Sequence, residues 1–314
     1  MIIPITEILN NQEHYKTQAE VNISLAYQLE KVIWLSNKLG KFLDTHWENG
    51  YWYIDNEEYS YTVDALLHNL SVLIEYYYNW IIFVYIGTNE HKKSKYRSIK
   101  KADQEIEDRM SSIFEYHNIG NLKIANSPGF YEECISAFKK AFEFLFVNEF
   151  HEVYVVNNFI KHNRAAMHYA PKGSINGKTV CIPFIYFQKQ HSKLINPSVL
   201  RCFFDNKISE DLKIESDELG YHANLLNKTS KKVGSLGGFT IVSVLGIEYL
   251  IKQSLEPSTV GISIESIIEL SQKLSNNIIN IAIESNEGDL SELKRLTALI
   301  QREPKTITNV LKNC

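Results

Sequence analysis

The chain has 314 residues, 44% of them hydrophobic and 22% charged, which is enough apolar mass for one large domain or two ordinary ones. A formal net charge of −4 argues against wholesale binding to nucleic acid or to an anionic membrane surface and leaves only local basic patches for such partners. Fourteen glycines and seven prolines favour long helices, and Cys134, Cys181, Cys202 and Cys314 match neither a disulfide framework nor a zinc site, which points to a reduced, cytoplasmic compartment.

Taken in chain order, the amino terminus has no basic n-region and no cleavage site, so no signal peptide is expected. Val21, Leu25, Leu29, Val32, Ile33, Leu39, Phe42 and Leu43 recur at helical spacing and predict a helix over 18–46. A second helix is expected to start at Thr62 or Asp64 and to run to about Ile86, stopping at Gly87. It carries a polar stripe of Asp64, His68, Ser71, Glu75 and Asn79, a line that must face water, a partner or a polar pocket. The apolar run at 70–87 is interrupted by Glu75 and Asn79, so no membrane span is expected. The segment 91–101 holds six Lys or Arg and no acid, and acids at 103, 105, 107 and 108 open a third predicted helix over 98–116. Ile135, Phe138, Ala141, Phe142, Leu145 and Phe146 predict a helix over 131–147.

The next predicted helix, over 149–169 and ended by Pro171, carries the chemistry. At about 100° per residue it aligns Asn157, Lys161, Arg164 and His168 on one stripe. Two cations, an amide and an imidazole in a line can hold a phosphate and move a proton, although a solvated helix face has the same composition. His162 falls nearer the apolar side of this helix. Beyond it, Asn176-Gly177 predicts a β-hairpin within 172–188, and Val180, Ile182 and Phe184 to Phe187 favour a strand. Residues 189–233 read as polar and irregular, with a short helix over 217–227. The Gly234-Ser-Leu-Gly-Gly238 stretch lacks the ending of a phosphate loop and reads as a turn before a helix over 239–254. Further helices are predicted over 262–283, 288–302 and 304–312. The fold class is therefore mainly α, with an amino-terminal helical bundle, one central β-hairpin and a helical carboxy-terminal part. The best boundary lies between 188 and 234, which gives domains 1–188 and 189–314.

The stripe helix resembles the signature helix of the HEPN superfamily, in which an Arg followed by a polar residue is closed by a His further along one helix. Arg164 closes on His168 at a spacing of one turn. Lys161-His162 stands at the longer spacing from His168, with Lys in the Arg place. The resemblance covers residues 18–169 and implies a compact, often dimeric helical bundle. Many members are metal-independent ribonucleases of toxin–antitoxin and anti-phage systems. It implies His168 as base or acid, Arg164 and Lys161 as phosphate-binding cations and Asn157 as the orienting amide, with no metal and no cofactor. Glu75, His68 and His162 are the candidates to support that site. Lys92, Lys93, Lys95, Tyr96 and Arg97, with Lys172 and Lys178 of the hairpin, are the candidate nucleic-acid-binding residues. Implied partners are RNA, a second copy of the chain and a protein of the same defence or toxin system. The rival reading is a non-catalytic interaction module that uses the aromatic helices as a dimer or partner interface. Peripheral membrane association through 70–101 is a third.

Overall fold

The computed structural model describes residues 12–49, 57–81, 83–84, 136–137, 139–141, 144–145, 150, 157, 167–169, 172–175, 178–181, 183–188, 231–236, 239–244, 247–252, 259–285 and 291–300. The protein is mainly α-helical. The long helices are α1 (Gln12–Asn49), α2 (Glu57–Ile81) and α3 (Ile264–Ser285), followed by the short α4 (Ser291–Ala298). Eight short strands complete the described elements: β1 (Met167–Tyr169), β2 (Lys172–Ile175), β3 (Lys178–Cys181), β4 (Phe184–Gln188), β5 (Lys231–Leu236), β6 (Phe239–Val244), β7 (Ile247–Lys252) and β8 (Thr259–Ser263). The expected hairpin is present: β2 and β3 pair antiparallel on either side of Asn176-Gly177, with Lys172 opposite Cys181 and Ile175 opposite Lys178.

The chain forms two compact units, and neither is continuous in sequence. The first draws on Met1–Val32, Asn69–Asn148 and Ser275–Leu299, the second on Ile33–His68, Glu149–Leu274 and Ile300–Cys314.

In the first unit, Leu25, Leu29 and Val32 of α1, Leu73, Ile74, Tyr77, Trp80 and Ile81 of α2, Ile278, Ile279 and Ala282 of α3 and Leu296 of α4 are buried. Burying rings as large as Trp80 and Tyr77 is favourable only if their polar tips find partners. The Trp80 Nε1–H donates to Asn22 Oδ1 at 2.8 Å, and the Tyr77 hydroxyl donates to the Ala141 carbonyl at 2.7 Å. The two rings stack with centroids 6.0 Å apart. Gln28 is buried as well, and its amide donates to the Asn69 carbonyl and to Asn69 Oδ1, which ties α1 to α2 through polar groups inside an apolar layer. Among the described residues, no helix is long and apolar enough to cross a membrane.

The second unit holds a six-stranded antiparallel sheet in the order β1-β4-β8-β7-β6-β5. The strands β5 to β8 form a meander, and β4 then joins its free side. Phe184 and Ile185 are adjacent on β4 and both fully buried, so this strand is covered on both faces. Ile33, Leu39 and Leu43 of α1, Val63, Leu66 and Leu67 of α2 and Ile264, Ile267 and Ile268 of α3 are buried in the same unit. α3 follows β8 directly. Ser263 is its N-cap, with its hydroxyl accepting from the Ser266 N–H at 3.2 Å and donating to Ser266 Oγ at 2.8 Å. Ser266 Oγ in turn accepts the Glu248 N–H of β7 at 2.9 Å.

Four expectations are corrected. The helix expected over 239–254 is the hairpin β6–β7, because Thr240, Ile241, Val242, Val244, Ile247 and Ile251 crowd a helix at χ1 but suit a pleated surface with neighbours on both sides. The stretch read as irregular to 233 already contains the start of β5, and Gly234 follows a register shift in its pairing with β6 rather than opening a turn. The helix expected to reach 169 does not include its last three residues, which are β1. Finally, α2 begins at Glu57, where two glutamates complement the helix dipole, so Thr62 is interior and its hydroxyl donates to the Glu58 carbonyl at 2.6 Å. The helices expected over 98–116, 217–227 and 304–312 lie outside the described residues.

Candidate polar site around His168

Of the four stripe residues, Asn157 and His168 are described and Lys161 and Arg164 are not. Asn157 is helical, as expected, and nearly fully buried. His168 is the middle residue of β1, an edge strand, and pairs with Ile185 of β4. It therefore does not continue a helical line from Asn157. A strand alternates its faces, so the row His168, Ile185, Ile262 and Tyr249, formed by successive cross-strand partners, shares one face of the sheet. Ile185 and Ile262 on that row are buried, and His168 is half-buried beside them.

The His168 ring packs edge-on against Tyr59 of α2, with centroids 5.6 Å apart and planes at 70°. Tyr59 is buried and also meets Phe42 of α1, at 6.2 Å and 83°. Burial pushes the Tyr59 hydroxyl well above the ordinary phenol range, and the nearby Glu265 carboxylate adds to that shift. Glu265 is itself buried, in the first turn of α3. The same desolvation acts in opposite directions on the two other titratable groups. It lowers the imidazole of His168 to about 4 and raises the carboxyl of Asp64. The resting imidazole of His168 is therefore neutral near pH 7, because burial strips its charged form of hydration.

In this unit His168 Nδ1, Asn157 Nδ2 and Asp64 Oδ1 are buried with no hydrogen-bond partner among the described residues. A buried polar group left unpaired costs on the order of 1–3 kcal/mol, so these atoms are hydrogen-bonding capacity that the described residues do not use.

The other candidates are dispersed. His68 is exposed on α2 in the second unit, and Glu75 is half-buried on α2 in the first. The α2 stripe is not uniform: Asp64, Glu75 and Asn79 are half-buried, Ser71 is buried and His68 faces water. Lys172 and Lys178 stand on β2 and β3, and no other described residue was a candidate for nucleic-acid contact. His162, Lys92, Lys93, Lys95, Tyr96 and Arg97 lie outside the described residues. Tyr59, Asp64 and Glu265 were not singled out together from sequence. Asp64 was legible as a polar residue on an apolar helix, whereas Tyr59 and Glu265 become neighbours of the site only through tertiary packing. Among the described residues no group of three His, Cys, Asp or Glu is placed to hold a metal ion.

Comparison with protein-family models, with curated proteins and with solved structures gives no match.

Proposed function

We propose that this protein acts on RNA in the manner of HEPN-like proteins, as a metal-independent endoribonuclease of a toxin or anti-phage system. The observation that carries the reading is that Asn157 and His168, two of the four motif residues, bury polar atoms with no hydrogen-bond partner among the described residues of one compact unit. Arg164 and Lys161 supply the cationic charge for a phosphate, and a planar guanidinium grips two of its oxygens. Neutral His168 is the form that accepts a proton from a ribose 2′-hydroxyl. A bound phosphate adds negative charge beside the imidazole and raises its proton affinity from the low resting value, so the site is quiet until substrate arrives.

The test is expression of the wild-type chain beside His168→Ala and Arg164→Ala, with total RNA resolved on a gel and growth followed. RNA fragmentation and growth arrest are expected from the wild type alone. Intact RNA from purified wild-type protein, offered structured and unstructured RNA, removes the reading.

A second reading, a helix-borne interaction surface, is favoured by Ile23 and Tyr27. These side chains are one helical turn apart on α1 in the first unit and are 67% and 63% exposed. Under it, Ile23→Glu with Tyr27→Glu lowers the oligomeric mass measured by light scattering, and His168→Ala changes nothing.

A further inference from the structure

We propose that Tyr59 is a positioning residue for His168: its buried ring, in contact with both Phe42 and the imidazole, fixes the plane in which His168 presents its nitrogens. The functional consequence rests on the RNA-acting reading, whereas the positioning itself does not.

Among the described residues, β1 has three residues, lies at the sheet edge and pairs only with β4. That pairing fixes the His168 backbone but leaves χ1 and χ2 to be set by packing. Nδ1 makes no hydrogen bond among the described residues that would orient the ring. The described ring in contact with the imidazole is Tyr59, at 5.6 Å and 70°, a geometry in which a ring edge meets a π face. Tyr59 can serve as a fixed reference because it is itself immobilised. It is 2% exposed, and Phe42 meets it at 6.2 Å and 83° from α1, where the neighbouring Leu39 and Leu43 are fully buried. The Lys38–Glu58 ion pair at 2.8 Å joins the same two helices beside this contact. The ring thus carries the position of α1 and α2 to an edge-strand histidine and excludes water from one side of it.

Among the described residues, the charge that acts on Tyr59 is that of the buried Glu265 of α3. Its carboxylate acts on the tyrosine hydroxyl, while burial accounts for the behaviour of the imidazole. Packing by the ring, not charge from α3, is therefore what Tyr59 supplies to His168, and the two are separable by substitution.

The experiment is proton and carbon NMR on the full chain with labelled histidine, the His168 signal being assigned from its disappearance in His168→Gln. In the wild type, a nuclear Overhauser effect is expected between the Tyr59 ring protons and the His168 ring, with a titration midpoint near 4. Tyr59→Phe keeps the ring and is expected to preserve both signatures. Tyr59→Leu removes it and is expected to move the midpoint up toward the ordinary imidazole value of about 6.5. Glu265→Gln is expected to leave the midpoint in place. The proposal is overturned by the absence of the Overhauser effect in the wild type, a result that needs no variant. It is also overturned by an unchanged midpoint in folded Tyr59→Leu, or by a Glu265→Gln shift as large as that of Tyr59→Leu. If Tyr59→Leu does not fold, the wild-type contact and Tyr59→Phe decide. In folded Tyr59→Leu, RNA cleavage is expected to fall on the order of tenfold to a hundredfold with RNA binding retained. A wild-type protein that leaves RNA intact defeats the functional reading, while the NMR result still decides the positioning on its own.

Discussion

Gly261 has little freedom to change. It lies on β8 opposite Tyr186 of β4, and the neighbouring Phe184 lays its ring where a side chain at 261 would stand. A Cβ built there would come within 1.8 Å of Phe184 Cδ2, and the ring, fully buried, has nowhere to go. Gly261→Ala is therefore expected to destabilise the fold by on the order of 3 kcal/mol, read from urea unfolding. Combining it with Phe184→Leu should recover part of the loss, so that the double variant is less destabilised than the sum of the singles. Equal additivity would place the clash elsewhere. The glycine is plain in the sequence, but the reason for it belongs to a strand pairing between residues far apart in the chain.

The elements show where local signals suffice and where they do not. α1 and α3 were legible because their apolar residues recur at helical spacing over many turns, and such a face must be buried whatever it packs against. The start of α3 is less negotiable than most, because one residue both ends β8 and caps the helix. Ser263→Ala removes the acceptor for the Ser266 N–H and the donor to Ser266 Oγ, so a loss of about 1 kcal/mol in chemical denaturation is expected. A null effect would mean that the cap bonds are replaced by other groups. The polar tie between α1 and α2 predicts a larger penalty: Gln28→Leu leaves the Asn69 carbonyl and amide oxygen without this donor inside the core, at a cost of about 1–3 kcal/mol in the same assay. The sheet was less legible. Phe239 to Lys252 offers an apolar stretch of helical length, and its β-branched composition becomes decisive only with the strand partners that make it β6 and β7. β1 is the sharper case. Three residues that extend a helical pattern perfectly well are claimed by β4, because each gains an antiparallel partner there.

At the scale of the whole molecule, the buried titratable groups make stability depend on pH with opposing signs. The unfolded imidazole binds its proton near about 6.5. Folded His168 binds it only near about 4. Between these values the unfolded state holds more protons, so stability falls as the pH drops through that window, by about 3 kcal/mol in all, and no further below it. Asp64 acts in reverse. Its folded proton affinity is raised, so acidification below that raised value and down to the unfolded carboxylate range adds stability. Thermal melts of wild type and His168→Gln between pH 7 and pH 4 separate the two. The variant is expected to lose the destabilisation on acidification and to show the Asp64 contribution more plainly. Parallel curves would mean that His168 is hydrated in the folded state.

The sequence by itself determined that the protein is mainly helical, where its longest described helices lie, that a hairpin turns at Asn176-Gly177, and that no described helix is long and apolar enough to cross a membrane. Those properties follow from short-range periodicity and turn chemistry, which act within a few residues. Only the tertiary structure decided that six strands from residues 167 to 263 share one sheet, and that His168 leaves the line of Asn157 to stand on its edge. The same packing set Tyr59 against it and left it neutral. Strand pairing and desolvation depend on which distant residues come together, and a side chain's proton affinity is a property of the neighbours it is buried among.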